Sequence, residues 1–296
     1  SHENVAERLA EYRDAGFSTF ILAGNPHLEE ALRSIYEQDY PNFEVIIVDD
    51  GSTDNSYAML EQLQKVHGFQ LYRQQNQGVS AALNFGLRHA RGDYVATPDL
   101  DDIMLPHSLS VRAAYLDQHS EVGCVGALVI YIDSEGQETK RQNGNRIRQL
   151  DFDYLLGNAY VCGAPVSLYR MEALRAAGFY DPEIKVQDFQ MTLRIASQGY
   201  QIHKLPVLVT RYRRHPDNLS RRYKVLLDAD LRTIEPYQSH PAYERGRTEL
   251  VNKALKYAVV ADKRHAWQLL RSLPLRQWNR TTFRRLKRFL LHHETT

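Results

Sequence analysis

Two acidic clusters in the first third of the chain carry side chains that can bind a nucleotide and a divalent cation. Asp49–Ser52 follows the apolar run Val45–Val48, and Asp99–Asp102 follows the run Tyr94–Thr97. A carboxylate at the end of a strand can accept hydrogen bonds from a base or from a ribose hydroxyl. Several carboxylates together provide the hard oxygen ligands that suit Mg²⁺ or Mn²⁺, whose shell is completed by phosphates and water. The two clusters therefore predict a site for a phosphorylated ligand and a metal.

Each cluster also has an ordinary structural interpretation. Asp54, just after the first cluster, is better placed to cap the following helix than to bind a ligand. A bare Asp-x-Asp pattern is more often a loop or a helix cap than a metal site. Adjacent carboxylates such as Asp49 and Asp50 would however repel each other in a plain turn, and Gly51 would let another backbone approach closely. Two acidic strand ends in one array therefore favour ligand binding.

The elements that must position these clusters alternate between short apolar runs and helical periodicity, which is typical of βα units on a parallel sheet. The predicted strands are Ser18–Leu22, Glu44–Asp49, Phe69–Arg73 and Tyr94–Thr97, and the predicted helices are Leu28–Gln38, Asn55–Lys65, Val79–His89 and Leu105–His119. In open α/β folds, ligands bind at the carboxyl ends of the parallel strands. Both acidic clusters are therefore expected at one edge of one sheet.

Beyond Val122 the pattern changes and predicts a mixed sheet. A strand at Val125–Ile132, a turn at 134–136 and a polar return to Arg148 come first. A segment at 165–169, a short helix from Met171, a helix at Asp188–Ser197 and a strand at Gln201–Leu205 follow, and helical periodicity continues from Leu219. These elements predict one large α/β domain and a helical extension that packs against it.

Composition and charge restrict the class of protein. Of the 296 residues, 43% are hydrophobic and 25% are charged, which is ordinary globular usage and excludes a disordered or collagen-like chain. No apolar run reaches the about 18 residues of a membrane span, so we expect a cytoplasmic protein. The two cysteines, Cys124 and Cys162, form no CxxC pair and predict neither a disulfide framework nor structural zinc. Residues 221–296 hold 17 of the 37 Lys and Arg residues but only 7 of the 36 Asp and Glu residues, so the extension is basic and the body acidic.

Four longer blocks place the acidic clusters in a wider pattern. They are FEVIIVDDGSTDNS, NQGVSAALNFGLRHARGDYVATPDLDD, GAPVSLYRMEALRAAGFYDPE and VQDFQMTLRIASQGYQIHKL. In this order and spacing they closely resemble glycosyltransferase family 2, the inverting enzymes with the GT-A fold, from about Phe17 to Ser220. The resemblance implies a Rossmann-like α/β fold, with a mixed, mostly parallel sheet flanked by helices. It also implies a GT-A domain over residues 1–220, with a nucleotide-binding half at about 17–104 and an acceptor half at about 105–220, and a basic helical extension over 221–296.

The resemblance assigns roles to individual residues. Asp101 becomes the direct metal ligand, and His215, in the segment YRRHP, becomes a second ligand for Mn²⁺ or Mg²⁺. Asp188 becomes the general base, in a Glu-Asp pair of the family that is Gln187-Asp188 in this chain. Such a carboxylate can deprotonate an acceptor hydroxyl as it attacks the anomeric carbon, which inverts the configuration. The nucleotide-sugar donor would be bound by Ala23, Asn25, Asp49, Asp50, Gly51, Ser52, Asn76, Gly78, Asp99 and Asp102.

The segment around His215 has more than one interpretation. A histidine alone in a polar loop is more often exposed than bound to a metal, and it is the family context that favours a ligand. The neighbouring Arg211, Arg213 and Arg214 could neutralise diphosphate oxygens, or at least one of them could be a solvated loop residue.

The amino-terminal strand departs from the family pattern. Leu22–Asn25 replaces the usual Pro-x-aromatic-Asn turn, so an aromatic residue expected near the base is missing. Stacking on the base is therefore expected to differ, with uridine as the default nucleoside.

A basic amphipathic helix is predicted near the end of the chain. Its apolar positions are Phe283, Leu286, Phe289 and Leu290, and its basic positions are Arg284, Arg285, Lys287 and Arg288. The helix either lies on an anionic membrane, as a peripheral contact at the inner face of the cell membrane, or packs its apolar stripe on the body. Nucleic acid is not expected as a partner, because the basic residues have few interleaved aromatics and no recognition module.

Together these features predict a metal-dependent inverting glycosyltransferase of the bacterial surface-polysaccharide type. It would move a hexose or N-acetylhexosamine from a UDP-sugar to a hydroxyl of a glycan or of a polyprenyl-diphosphate-linked acceptor. The alternative is a catalytically silent module that binds nucleotide-sugar or glycan, and the retained Asp101, Asp188 and His215 argue against it. A nucleotidyltransferase would need a glycine-rich, basic phosphate loop near the amino terminus, which the sequence lacks.

Overall fold

The first half of the chain forms parallel strands joined by helices. The computed structural model describes residues 17–22, 27–215 and 222–291, and for 17–22 it describes the backbone. The elements are β1 Phe17–Leu22, α1 Leu28–Tyr36, β2 Phe43–Asp49, α2 Ser56–His67, β3 Gln70–Arg73, α3 Val79–His89 and β4 Tyr94–Ala96. β1 pairs in parallel with both β2 and β4, and β2 pairs in parallel with β3. The run Val45–Val48 is buried, because a parallel sheet covered on both faces requires continuous apolar strands.

The second half adds antiparallel strands and makes the sheet mixed, as the sequence predicts. Its elements are β5 Ile103–Met104, α4 Ser108–Gln118, β6 Val122–Ile132, β7 Glu138–Arg141, β8 Arg148–Leu150, α5 Phe152–Asn158, β9 Leu168–Arg170, α6 Met171–Ala176, α7 Gln187–Ser197 and β10 Gln201–Arg213. The strand order is β3-β2-β1-β4-β9-β6-β10-β5, with β7 beside β6 and β8 beside β10. β9 runs antiparallel to β4 and β6, whereas β6 and β10 are parallel to each other. β6 and β10 therefore point the same way as β1 to β4.

Two predicted elements differ from the structure next to a proline. The helix predicted from Leu105 begins at Ser108, because the residue before a proline avoids the helical region. The strand predicted to end at Leu205 continues to Arg213. Pro206 lies inside it, and the pairing with β6 shifts register around this proline, which has no N–H for the ladder. The extra length carries β10 to the sheet edge where the acidic clusters lie.

The helices of the carboxyl-terminal extension pack against the body, as expected. They are α8 Tyr223–Ile234, α9 Tyr243–Ala261, α10 Lys263–Ser272 and α11 Arg280–Leu291. Leu227, Leu255 and Ala258 belong to the same hydrophobic core as the sheet. α9 crosses α5 so closely that a Cβ on Gly246 would collide with the carbonyl oxygen of Leu156, so the crossing requires glycine. Within the described part of the chain, no helix is long and apolar enough to cross a membrane.

Candidate active site

The carboxyl ends of the parallel strands bring both acidic clusters to one edge of the sheet. β2 ends at Asp49, the segment Asp99–Asp102 follows β4, and β10 ends at Arg213. Because these strands point the same way, the segments that follow them emerge side by side. β5 comes directly after the second cluster and pairs with β10, which ties that cluster to the end of β10. Residues 111 positions apart in the chain, such as Asp102 and Arg213, are therefore in contact.

The first cluster is hydrogen-bonded to itself and to the loop before α3. Asp49 is fully buried, its Oδ1 accepts from the N–H of Ser52 at 3.2 Å, and its Oδ2 lies 3.0 Å from Nε of Arg73. The carboxylate of Asp50 accepts from two backbone N–H groups of the loop 74–78, at 2.9 and 2.8 Å. Oδ2 of Asp49 has no hydrogen-bond partner among the described residues, but the charge of Arg73 beside it and the donors to Asp50 offset the repulsion between the two carboxylates. Asp50 therefore shapes this loop. The family resemblance also implies that Asp50 contacts the nucleotide-sugar.

Two glycines allow the first cluster and this loop to approach each other. Gly51 has a φ of +76°, and a Cβ on it would lie 2.8 Å from the backbone nitrogen of Asn76. Gly78 has a φ of +88° and directly precedes α3. Residues with a Cβ rarely adopt such φ angles. Glycine at both positions is therefore a condition for this half of the site.

Asp99, Asp101 and Asp102 form a carboxylate triad in which one oxygen of each lies within 4.8 Å of the others. Asp102 is buried, and its Oδ1 accepts from the N–H of Arg213 at 2.7 Å. Its Oδ2 is also buried and has no hydrogen-bond partner among the described residues. His215 reaches the triad from the end of β10, with its Nε2 3.0 Å from Oδ2 of Asp101. The structure thus places the two predicted metal ligands in contact.

The triad concentrates more negative charge than its surroundings neutralise. Burial raises the pKa of Asp99, and the charges of Asp188 and Asp101 raise it further. Burial, followed by the charges of Asp99 and Asp101, also raises the pKa of Asp102, although a hydrogen bond from Arg213 acts in the opposite direction. Carboxylates that repel one another, with one unpartnered buried oxygen and an imidazole beside them, fit a divalent cation. The donor set suits Mn²⁺ or Mg²⁺.

Arg213 is neither a diphosphate ligand nor a solvated loop residue, so both sequence interpretations are wrong for it. Its side chain is buried, donates to backbone carbonyl groups after β4 and β6, and pairs with Glu30 of α1 at 2.7 Å. Of its neighbours, Arg211 donates to the carbonyl of Gly136, and Arg214 lies over a tyrosine ring of β6. Arg213 therefore joins the loop that carries the triad to the turn after β6 and to α1, and its charge is paired with Glu30.

Asp188 lies in the first turn of α7, and its carboxyl group faces the same cavity as Asp99. The cavity has a volume of ≈230 Å³ and is also lined by Tyr160 and Tyr212. Burial raises the pKa of Asp188 to about 6, against the effect of a hydrogen bond from the backbone of Ala164. Oδ1 of Asp188 is shielded from solvent and has no partner among the described residues. A carboxylate with these properties can accept a proton from a ligand in the cavity.

The start of α7 is held from two directions. The buried side chain of Gln190 donates to Oγ of Ser80 at 3.1 Å and to the carbonyl of Ile184 at 3.2 Å. On its other side, Ile184 packs against Ala229 of α8. The turn that precedes Asp188 is therefore fixed by α3 and by the extension together.

Comparison with known proteins identifies the family. The family model described as "Glycosyl transferase family 2" matches residues 24–178. The chain belongs to glycosyltransferase family 2. It is 29% identical over 208 residues to the amylovoran biosynthesis glycosyltransferase AmsE of Erwinia amylovora, an alignment that covers 66% of this chain and 74% of AmsE.

Solved structures similar to this family-2 chain establish its fold as GT-A. TarS 1–349 of S. aureus in complex with UDP-GlcNAc aligns with a TM-score of 0.65 and 18% identity, over 88% of this chain and 82% of that one. A longer TarS chain is matched over 50% of its length. The mannosyltransferase PcManGT from Pyrobaculum calidifontis, in complex with GDP-Man and Mn²⁺, aligns with a TM-score of 0.57 and 20% identity, over 97% of this chain and 93% of that one.

The family-2 site also includes residues that the sequence analysis did not single out. Tyr131 and Gln142, with Lys204 and Tyr212 of β10, line the cavity that contains Asp188. Burial raises the pKa of the Tyr212 hydroxyl, and the nearby carboxylates raise it further. The sequence signal of Tyr131 and Lys204 is strand periodicity alone, and Gln142 lies in the polar stretch after β7. Tyr212 belongs to the segment that ends near His215. The unexpected length of β10 brings Tyr212 into the site.

The remaining sequence-assigned residues have different outcomes. Ala23 and Asn25 lie outside the described residues. The side chain of Asp54 accepts from the N–H of Ser56 at 3.0 Å, where α2 begins. The N-cap of this helix is Asn55, which makes no side-chain cap hydrogen bond, so Asp54 bonds to the start of the helix from one position before the cap.

Proposed function

We propose that this chain is a metal-dependent inverting glycosyltransferase that moves a hexose or N-acetylhexosamine from a UDP-sugar to a hydroxyl of a glycan or lipid-linked acceptor. One observation carries the proposal: Asp188 and Asp99 line one cavity, so the proposed base and one carboxylate of the triad face the same small space. The cavity volume of ≈230 Å³ is below the roughly 300–1,000 Å³ of pockets for drug-sized ligands. We infer that it holds one sugar unit.

In this proposal Asp188 accepts the proton of the acceptor hydroxyl. The acceptor oxygen attacks the anomeric carbon on the face opposite the diphosphate, the bond from that carbon to the diphosphate oxygen breaks, and the configuration is inverted. Burial that raises the pKa of Asp188 to about 6 makes it a stronger base than an exposed aspartate and leaves it ionised at neutral pH. Tyr160 and Tyr212 narrow the cavity around the sugar and exclude water.

Asp101 and His215 hold Mn²⁺ or Mg²⁺ in this proposal. The family resemblance implies Asp99 beside the ribose or a metal-bound water and Asp102 facing the sugar, whereas of these three carboxylates it is Asp99 that lines the cavity of Asp188. When bound, the cation neutralises charge that develops on the diphosphate leaving group. The contact between His215 and Asp101 and the unpartnered oxygen of Asp102 support this set of ligands.

The donor nucleotide is proposed to lie along the first acidic cluster and the loop before α3. Its contacts are Ala23, Asn25, Asp49, Asp50, Gly51, Ser52, Asn76 and Gly78. We favour uridine because TarS, the neighbour with the TM-score of 0.65, was solved with UDP-GlcNAc. PcManGT was solved with GDP-Man, so a guanosine donor belongs in the test.

We propose that the GT-A domain covers 1–220, with its nucleotide-binding half at about 17–104, its acceptor half at about 105–220, and the basic extension at 221–296. The extension would support the acceptor half, because α8 and α9 contact α7 and α5.

The acceptor is proposed to be a growing bacterial polysaccharide or a polyprenyl-diphosphate-linked precursor. The name of AmsE as a biosynthesis glycosyltransferase supports a biosynthetic role.

The deciding experiment measures nucleoside diphosphate release from UDP-sugars and GDP-mannose, with Mn²⁺ or with EDTA, for the intact chain and for Asp188→Asn. We expect one nucleotide-sugar to be cleaved only when metal is present. The variant should bind that nucleotide-sugar without turning it over. If no donor is turned over even when lipid-linked acceptors are added, the chain is a silent binding module and the proposal fails.

We further propose that α11 is a peripheral contact with the inner face of the cell membrane. Leu286 and Phe289 pack against the core, whereas Phe283 and Leu290 stay 57% and 65% exposed beside Arg284 and its basic neighbours. Exposed apolar groups among cations suit an anionic lipid surface.

Sedimentation with vesicles tests this contact. Binding to phosphatidylglycerol vesicles, but not to phosphatidylcholine vesicles, should be lost in the double variant Phe283→Ser and Leu290→Ser. The matched control is Val66→Ser on α2, which also removes a highly exposed apolar side chain. Equal binding by all three proteins would show that α11 is no more than a packed terminal helix.

A further inference from the structure

A basic segment between β6 and α5 has no role in the transfer described above. Residues 140–148 contain Lys140, Arg141, Arg146 and Arg148 and no Asp or Glu. With Lys204 of β10, these side chains line a second cavity, of ≈370 Å³, which we call the basic groove. Among the described residues, no Asp or Glu lines this groove. Its chemistry is therefore that of an anion-binding surface.

Most of the positive charge in the basic groove is not neutralised by the protein. Arg141 pairs with Glu138, with 2.6 Å between Nη2 and Oε2. Lys140, Arg146 and Lys204 form no salt bridge with a residue of the described chain. Like charges that share one concave surface repel each other, and they attract anions more strongly than the same charges on a flat surface. The groove is thus better matched to an anionic ligand than to solvent.

The basic groove adjoins the cavity that contains Asp188. Lys204 and Gln142 line both spaces. The ammonium of Lys204 donates to Oε1 of Gln142 at 3.3 Å, and Nε2 of Gln142 donates to the hydroxyl of Tyr131 at 3.0 Å. These contacts fix two polar side chains at the boundary between the groove and the cavity. An anion in the groove is therefore a neighbour of a sugar unit in the cavity.

We propose that the basic groove binds the anionic group of the acceptor, a phosphate or carboxylate attached next to the sugar that receives the transfer. The inference rests on the proposed function, in which the donor diphosphate lies at the triad with His215. The donor diphosphate therefore does not occupy the basic groove, and the acceptor is the ligand left for this cationic surface beside Asp188. Lys204 contacts the anion at the boundary, and Arg146 and Arg148 extend the contact outward.

The experiment measures binding of three soluble probes with UDP and Mn²⁺ at saturation, so that the donor position is filled. Glucose 1-phosphate tests a phosphate, glucuronate tests a carboxylate, and methyl glucoside is neutral. At least one anion should bind about tenfold more tightly than methyl glucoside, since a charge-assisted hydrogen bond is stronger than a neutral one. The difference should shrink as salt is added.

Two variants locate the binding. Arg146→Gln should weaken binding of the anionic probe by about three- to fivefold, as expected for an exposed charge. Lys204→Gln should weaken it by about tenfold, and Lys204→Arg should restore most of the affinity. Arg175→Gln is the matched control, because Arg175 is an exposed arginine on α6 that lines neither cavity.

Each outcome has one meaning. Tighter binding of glucose 1-phosphate supports a phosphate-bearing acceptor, and tighter binding of glucuronate supports an acidic glycan. The inference is overturned if the neutral sugar binds as well as both anions, if no probe binds, or if Arg175→Gln weakens binding as much as Arg146→Gln. Binding of UDP is measured first, so a failure of the proposed donor site is seen separately from a failure of the groove.

Discussion

The proposed donor side and the proposed acceptor side of this site, called the donor side and the acceptor side below, are built in different ways. The donor side is Asp49–Ser52 with the loop 74–78, and its carboxylate-to-backbone contacts join residues at most 28 positions apart. The acceptor side is the segment 159–163 with Asp188, and its supports come from positions about 90 to 110 residues away. Local contacts between a strand end and the next loop therefore define the donor side, whereas tertiary packing defines the acceptor side.

The extension supplies much of this packing. Lys253 of α9 donates to the carbonyl of Ala159, and Arg245 donates to the carbonyl of Gly157 at 3.0 Å. Ala159 has a φ of +47°, which is uncommon for a residue with a Cβ. A strained residue beside the cavity persists when its surroundings hold it in place. The comparison teaches that the extension is part of how the acceptor cavity is shaped.

The largest effect is expected from Asp188→Asn, which should remove the chemistry of the acceptor side and leave the donor side intact. Turnover should fall by about 10²–10⁴-fold, because an amide cannot accept the proton. In the unchanged enzyme, kcat/KM should fall about tenfold per pH unit below about pH 6, where the carboxyl group becomes protonated. Initial rates over a pH series check this, and the residual activity of the variant should lack that decline. Loss of donor binding in the variant would contradict the separation of the two sides.

Arg213→Met should break the connection between the triad and β10. The variant leaves the half-exposed Glu30 without its partner and removes donors from three partly buried carbonyl groups, so the free energy of unfolding should drop by about 2–3 kcal/mol. Arg211→Met is the control, because it removes one hydrogen bond to a backbone carbonyl and should cost about 1 kcal/mol. Chemical denaturation compares the two. Equal losses would mean that Arg213 is not the connection we infer.

Gly51→Ala should damage the donor side alone. A Cβ at Gly51 would meet the Asn76 backbone at 2.8 Å in addition to the cost of a positive φ, so we expect a loss of about 2–3 kcal/mol and weaker UDP binding. Gly68→Ala has a similar φ and open space around the new methyl group, and should cost about 1 kcal/mol. Thermal unfolding and UDP titration distinguish them. Equal effects of the two variants would show that the contact with Asn76 is unimportant.

The smallest effect is expected from the pH dependence of Asp230→Asn, which tests the support from the extension. Burial raises the pKa of Asp230 to about 7, Lys253 lowers it, and the charge of Asp188 raises it. An acid whose pKa is raised in the folded state binds its proton more tightly there than in the unfolded chain, so its contribution to stability declines as the pH rises from about 4 to about 7. The free energy of unfolding should therefore decline over this range in both proteins, and the decline should be smaller in the variant than in the unchanged chain by about 1–2 kcal/mol.

Asp228→Asn is the control for Asp230, because Asp228 is an exposed acid on the same helix that pairs with Arg232. Unfolding curves at several pH values should show the same slope for this control as for the unchanged chain. A slope for Asp230→Asn that also matches the unchanged chain would contradict a buried, charge-sensitive carboxyl group beneath the acceptor side.

Much of the donor side could be predicted from the sequence because its signals are local. The run Val45–Val48 predicts a buried strand, the acids and Gly51 that follow predict a tight polar turn, and helix α3 has the predicted bounds Val79–His89. For the acceptor side, the sequence predicted Asp188 through the family resemblance. It did not predict the roles of Gln142 and Lys204, because nothing in their local pattern distinguishes them from other polar residues of loops and strands.

The sequence by itself determined the class of fold, the family and the two acidic strand ends, since periodicity and short motifs are properties of neighbouring residues. Only the tertiary structure decided that Arg213 is a buried connector, that β10 passes Pro206 to bring Tyr212 and His215 to the triad, and that a basic groove adjoins the cavity of Asp188. Those contacts depend on strand order and on packing between segments far apart in the chain, and their free energies arise only when the segments meet.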